Sequence, residues 1–274
     1  MSKIKLGLNP EFVRHADKSF EWAMETTKKL GYAYFEPNVI TGRCLLSEAG
    51  YCHLQSMEID PAIMKARLAH HGLIPSGVSC HASLMKSDVG VTYLCQAIRY
   101  AAAIGAPCIN TDEGKKPDWM TEDEAFDLMK MNLRPILQEA ERYGVFVALE
   151  AHSPYSTRID TMGRLLGLSD SPMLRVNYDC GNVLLAGTDP IEYLETFKHK
   201  VVHVHAKDIG DELLDQRGKI TGTPVGVACG DGAIDWPKVV EILEGVGYEG
   251  VFSVECGTED QARRSFAHLS GVLG

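Results

Sequence analysis

Val201-Val202-His203-Val204-His205-Ala206-Lys207-Asp208 is the stretch from which the chain is read. It is a short apolar run that breaks off into polar, chargeable residues. Alternate residues of a strand point to opposite faces, so His203 and His205 share one. Three other apolar runs end in the same manner. Residues 145–149 lead to Glu150, 174–178 to Asp179 and 250–254 to Glu255. One imidazole and three carboxylates therefore stand at the C-terminal ends of four separate strand-like runs. In a (β/α)8 barrel the active site lies at that end of the strands.

Outward from these four runs the chain alternates strand and helix patterns. Further strands are predicted over 3–8, 32–35, 74–80 and 107–110. Helices are predicted over 17–30, 60–71, 90–104, 121–143, 189–199 and 259–272, with two more beginning near Thr157 and at Asp235. Their ends carry recognisable stops and starts. Thr121 with Glu124 three residues on is a capping box, and Pro61 and Pro190 sit in first turns. Gly31, Gly105 and Gly144 follow last turns. Residues 38–58 show no clean period and are expected to form a loop or lid. Residues 207–234 read as a long polar loop. Eight βα units without an internal repeat indicate a parallel sheet, here an α/β fold with one TIM-barrel domain over 1–274. No glycine-rich phosphate fingerprint follows the first strand, which counts against a doubly wound dinucleotide fold.

Composition narrows the function. The 274 residues are 45% hydrophobic, enough for one large core. The net charge of −10 argues against a nucleic-acid partner, which needs a basic face. No apolar run approaches the roughly 18 residues of a membrane span, and the first residues are too short in apolar character for a secretory signal. The eight cysteines, at 44, 52, 80, 95, 108, 180, 229 and 256, form no CxxC pair. Reduced, buried thiols in a cytoplasmic enzyme are expected.

A hard divalent ion prefers carboxylate oxygens with one imidazole and open positions for substrate. Glu150, Asp179, His205 and Glu255 supply such a set, spaced one or two βα units apart. Any one of them could instead cap the next helix. His203 is either a group supporting the ligands or a core histidine.

The chain resembles the sugar isomerase/epimerase superfamily of xylose-isomerase-like barrels, which includes ketose 3-epimerases, inosose isomerases and dehydratases, and hydroxypyruvate isomerases. The resemblance is carried by 148–150, by Asn177-Tyr178-Asp179-Cys180-Gly181-Asn182, by 203–208, by Gly230-Asp231-Gly232-Ala233-Ile234-Asp235-Trp236 and by 247–250 leading to Glu255. It implies that Glu150, Asp179, His205 and Glu255 bind one divalent ion, manganese first, with magnesium or cobalt as alternatives. It also implies that Glu150 and Glu255 flank the substrate carbon as acid and base. The reaction implied is proton abstraction α to the carbonyl of a keto sugar, with β-elimination on a 3-keto glycoside as the alternative.

The sequence departs from ketose 3-epimerases after Glu150. Where those carry a second glutamate six residues on, this chain has Ser156, and near the place of a histidine it has Asn182. His152 lies two residues past Glu150 on the same face and is a candidate third catalytic group. Asn182, Lys207, Arg217, Glu113 and His81 are the expected substrate contacts. Residues 42–53, 110–116 and 207–222 are expected to wall a pocket for a larger substrate, a pattern closer to C-glycoside deglycosidase catalytic subunits. The expected partner is a small sugar or glycoside, with no nucleic acid and no membrane. A homo-oligomer or a partner subunit stays open. A metal-dependent endonuclease of the same superfamily would need more histidine ligands and a basic groove. A non-catalytic sugar-binding barrel would need no titratable pair such as Glu150 and Glu255.

Overall fold

The computed structural model describes residues 2–13, 18–42, 54–219 and 224–274. Its strands are β1 (Lys5–Leu8), β2 (Tyr34–Phe35), β3 (Asn38–Ile40), β4 (Leu54–Ser56), β5 (Ile74–Pro75), β6 (Val78–Ser79), β7 (Cys108–Thr111), β8 (Phe146–Glu150), β9 (Leu174–Asp179), β10 (Val201–Ala206) and β11 (Val251–Val254). All pair in parallel, in the order β4-β3-β6-β7-β8-β9-β10-β11-β1-β2-β5. That order closes through two split strands, with β4 added beside β3. β2 and β3 are halves of one strand parted at Glu36-Pro37, and β5 and β6 are halves of another parted at Ser76-Gly77. β2 pairs with β5 while β3 pairs with β6, so the sheet closes into an eight-membered barrel. The ladder runs through both breaks: Ser76 N–H donates to Phe35 O at 3.0 Å and Ser79 N–H to Pro37 O at 3.0 Å. Proline has no N–H to give, and here it serves as the acceptor. At Gly77 a Cβ would lie 3.0 Å from Asn110 Nδ2 and Cys108 Sγ, so a side chain would crowd the barrel interior.

Ten helices follow or flank the strands among the described residues: α1 (Phe20–Lys29), α2 (Pro61–His70), α3 (Gly90–Ile104), α4 (Glu122–Tyr143), α5 (Ile159–Leu166), α6 (Cys180–Leu185), α7 (Pro190–Phe197), α8 (Asp211–Leu214), α9 (Trp236–Gly245) and α10 (Glu259–Leu273). The (β/α)8 expectation holds, and the capping box at Thr121 and Glu124 is formed. Four local expectations change. The first helix begins at Phe20, because Ser19 caps it by accepting from Trp22 N–H. Residues 38–58 are not all loop: β3 and β4 pair there, each too short to show a period. An unpredicted helix, α6, starts directly at the end of β9, because the Asp179 carboxylate caps it. The 207–234 stretch contains α8. The loop positions 43–53 and 220–222, with Cys44 and Cys52, lie outside the described residues. Among those described, the six cysteines are free and five of them are buried. No helix there is long and apolar enough to cross a membrane.

Register decides which side chains meet inside the barrel. Asp179 and His205 are direct partners across β9 and β10, as are Asn177 and His203. Glu150 partners Asn177 across β8 and β9. These residues share the inward face, while Val176, Tyr178 and Val204 pack outward in the buried helix layer.

Candidate active site

At the C-terminal end of the strands, three carboxylates surround one imidazole. His205 Nδ1 lies 3.2 Å from Glu150 Oε2 and 3.2 Å from Glu255 Oε1. Its Nε2 lies 3.0 Å from Glu36 Oε1. Asp179 completes the group, its carboxylate within 4.8 Å of the donor atoms of Glu150 and His205. All are buried, and so is Lys207, whose Nζ sits 3.6 Å from Glu255 Oε2 and 4.0 Å from Asp179 Oδ2. The amides are arranged as donors. Asn182 Nδ2 donates to Asp179 Oδ2 at 2.7 Å and Asn9 Nδ2 to Glu255 Oε1 at 3.4 Å.

These contacts move the protonation equilibria. Burial works against a charge on His205, but Glu255, Glu36 and Glu150 outweigh it and hold the imidazole protonated well above its usual range. Burial pushes Glu255 up to about 8 and Asp179 up to about 6, against the pull of His205 and Lys207. Glu150 and Glu36 are buried too, yet the facing imidazoles hold both below the ordinary carboxylate range. His203, one pair deeper, is kept neutral by burial, at about 4. It lies between Asn177 Oδ1 at 3.1 Å and Asn110 Nδ2 at 3.3 Å.

Four buried carboxylates face one lysine, and protons on His205 and Glu255 balance part of their charge; once those protons leave, negative charge is in surplus. Uncompensated buried charge is costly. A divalent cation offsets it, and hard oxygens with one imidazole are the donors such an ion takes. The residues present therefore fit a metal ion held by Glu150, Asp179, His205 and Glu255.

A second cluster adjoins the first and is more open. Asp112, at the end of β7, accepts from both His152 Nδ1, at 3.0 Å, and His81 Nδ1, at 3.4 Å. Ser153 Oγ also donates to it. The two imidazole rings lie 5.1 Å apart, and His81 Nε2 reaches to 3.5 Å from Glu150 Oε2, which joins the clusters. Burial opposes charge on His81, but Glu150 and Asp112 raise it to about 9.

The expected substrate contacts divide. His81, Asn182 and Lys207 stand beside the central carboxylates. Asn182 Oδ1 is buried and has no hydrogen-bond partner among the described residues. Glu113 lies one step behind, its Oε1 accepting from Tyr155 N–H at 2.7 Å and Ser156 N–H at 3.1 Å. It thereby fixes the turn that carries His152. Arg217 is exposed, and its described contact is to the Thr188 carbonyl at 3.3 Å, away from the central carboxylates. The 110–116 turn reaches His152 as expected. The 207–219 stretch brings only Lys207, because Asp208 is committed elsewhere. Asp208 accepts from Gly230 N–H at 2.8 Å, Ile234 N–H at 3.0 Å and Trp236 Nε1 at 2.8 Å. A Cβ at Gly232 would lie 2.3 Å from Asp208 Oδ1, so glycine is needed for the loop to close there.

Sequence reading missed Glu36, Asp112 and Asn177. Glu36 offered the same signal as the other carboxylates, a glutamate directly after a short apolar run, but the following proline reads as a turn. Asp112 stood in the noted 110–116 turn without a partner visible in sequence.

The chain belongs to the xylose isomerase-like TIM barrel family, whose model matches residues 24–271. Within that family it is similar to inosose dehydratases. It is 26% identical over 141 residues to that of Clostridium botulinum (48% of this chain, 47% of the relative) and 26% over 164 residues to that of Clostridium beijerinckii (57% and 54%). The chain spans about half the length of the curated relatives it matches. Solved structures share the fold along nearly the whole chain. A D-tagatose 3-epimerase-like protein superposes with a TM-score of 0.79 at 19% identity, covering 98% of this chain and 97% of its own. The IOLI protein, solved with a zinc atom, gives 0.76 at 17% identity, covering 98% of each chain. A xylose isomerase-like barrel of Mycobacterium smegmatis in complex with magnesium gives 0.74 at 15%, covering 100% and 98%.

Proposed function

We propose that this protein is a divalent-metal-dependent enzyme that removes a proton α to the carbonyl of a keto sugar or keto cyclitol. The observation that carries this reading is the approach of Glu150 and Glu255 to one nitrogen of His205 from two different strand ends. Two carboxylates around one point can serve two faces of a substrate carbon. Glu150, Asp179, His205 and Glu255 hold the ion, with manganese or magnesium favoured by the oxygen-rich donor set. When bound, it supplies Lewis-acid stabilisation of the negative charge that develops on the substrate oxygens.

The chain's own residues do the rest. One of Glu150 and Glu255 takes the proton, and the other returns it or guards the opposite face. Lys207 stabilises anionic charge beside Glu255. Asn182 and His81 offer hydrogen bonds to hydroxyls.

A second outcome of the same first step is favoured by one observation. His152 is oriented by Asp112 beside Glu150 and is available to protonate a leaving group on the β carbon. Loss of that group gives elimination instead of epimerisation, and the inosose dehydratase relatives carry the name of such a reaction. The test is a panel of free ketoses, inososes and 3-keto glycosides in D2O with added Mn²⁺. Deuterium uptake without product loss identifies epimerisation or isomerisation, and loss of water or of an aglycone identifies elimination. Neither exchange nor eliminated product on any substrate would overturn the reading.

A further inference from the structure

We infer that Glu36 is a positioning residue for the metal centre: its carboxylate takes the Nε2–H of His205 and so leaves Nδ1 bare toward Glu150, Asp179 and Glu255. The inference rests on the metal-binding reading above. A ligating imidazole must first give up the second proton that the carboxylates hold on it; the neutral ring then has one N–H and one lone pair, and the partner of one nitrogen decides the role of the other. Glu36 Oε1 lies 3.0 Å and Oε2 3.2 Å from His205 Nε2. The opposite nitrogen, Nδ1, faces Glu150 and Glu255 at 3.2 Å each. Asn177 Nδ2 lies 3.2 Å from both ring nitrogens, but the carboxylates divide, Glu36 on Nε2 and Glu150 with Glu255 on Nδ1.

Glu36 is itself held in place. It is wholly buried, Asn110 Nδ2 donates to its Oε1 at 2.6 Å, and His203 Nε2 lies 3.6 Å from its Oε2. The three elements involved come from different sides of the barrel: the break between β2 and β3, the strand β7 and the strand β10. No neighbouring pair in sequence could set this geometry. Without the carboxylate, the other tautomer becomes accessible. Its Nδ1–H would then bond Glu150 or Glu255 and block the ligand position. Glu36 thus acts on the ion through His205.

Free-Mn²⁺ titration followed by electron paramagnetic resonance tests this on wild type, Glu36→Gln and His205→Ala. Glu36→Gln keeps the shape and the contact from Asn110 but removes the charge. It is expected to weaken Mn²⁺ about 10–100-fold, the usual effect of losing a carboxylate behind a ligating histidine. Melting temperature is read alongside it. A Glu36→Gln chain that folds and binds as tightly as wild type overturns the inference and leaves the metal reading intact. A wild type that binds no Mn²⁺ overturns the metal reading itself. A variant-free measurement covers failure to fold: ¹⁵N imidazole NMR of the wild type with Zn²⁺. The expected spectrum has His205 protonated at Nε2 and perturbed by the ion at Nδ1. The reverse assignment overturns the inference.

Discussion

Two clusters at the same end of the barrel invert one another. In the deep one, Glu36, Glu150 and Glu255 converge on the single imidazole of His205, and every member is buried. In the open one, the single carboxylate of Asp112 serves His81 and His152, whose side chains are 39% and 25% exposed. The ratio of acid to imidazole sets what each can do. Surplus carboxylate without water around it needs a cation. One carboxylate shared between two half-exposed imidazoles carries no such surplus, although its three donor atoms also lie within 4.8 Å of one another, close enough to hold an ion. On the function proposed above, the deep cluster holds the ion and the open one delivers the proton.

The largest expected effect tests the deep half. Glu150→Gln and Glu255→Gln should each take turnover below detection. That exceeds the about 10²–10⁴-fold of a lone acid–base group, because the same changes also weaken the ion. Steady-state rates and Mn²⁺ titration read both. Substantial activity with either variant would break the comparison at its centre.

The open half should fail differently. His152→Ala is expected to lose about 10²–10⁴-fold on a substrate with a β leaving group, while Mn²⁺ content stays at the wild-type level. Deuterium exchange at the α carbon should persist. A wild-type elimination rate would remove His152 from the mechanism. Asp112→Asn should do less, about 10–100-fold, because both rings remain but lose the group that orients them. Rates for the two single variants and the double variant separate these roles, since groups acting as one unit do not add.

A third carboxylate provides a control on both clusters. Asp208 is buried like the deep set but is satisfied by backbone N–H groups and the Trp236 indole. Asp208→Asn turns an amide toward two of those donors. Urea unfolding should show a loss of about 3 kcal/mol, the scale of two charge-assisted hydrogen bonds. Metal affinity in the folded variant should be unchanged.

The smallest effect lies behind the open cluster. Burial, with Asp112 beside it, raises Glu113 to about 7 from an ordinary 4.5. Below pH 4.5 the group is protonated in both the folded and the unfolded chain. Between 4.5 and 7 only the unfolded chain releases the proton, so this group's contribution to stability falls as pH rises through that window. Glu113→Gln should flatten the stability–pH curve there, measured as the wild-type minus variant difference in urea midpoints. An unchanged slope would mean that Glu113 is ionised in the folded chain.

Much of the barrel was legible because its signals are local. The capping box at Thr121, the stop at Gly144 and the strand–helix alternation each depend on neighbouring residues. The continuation of the second strand past Pro37 was not legible, because its bonds come from Ser79 on another strand. The helix α6 was hidden for a related reason. At six residues it is too short for a period, and its cap is Asp179, already read as a strand end.

The sequence by itself determined the parity of His203 and His205, the strand-end positions of Glu150, Asp179 and Glu255, and the residue types that suit a hard cation. Those follow from the two-residue repeat of a strand and the chemistry of each side chain. Only the tertiary structure decided that Glu36 reaches the far nitrogen of His205 and that Asp112 serves two imidazoles at once. It alone turned Asp208 into a loop anchor and left Arg217 on Thr188. Those outcomes depend on barrel closure and strand register, which bring Glu36 to His205 across 169 positions and Asn9 to Glu255 across 246. No local pattern encodes a contact of that range.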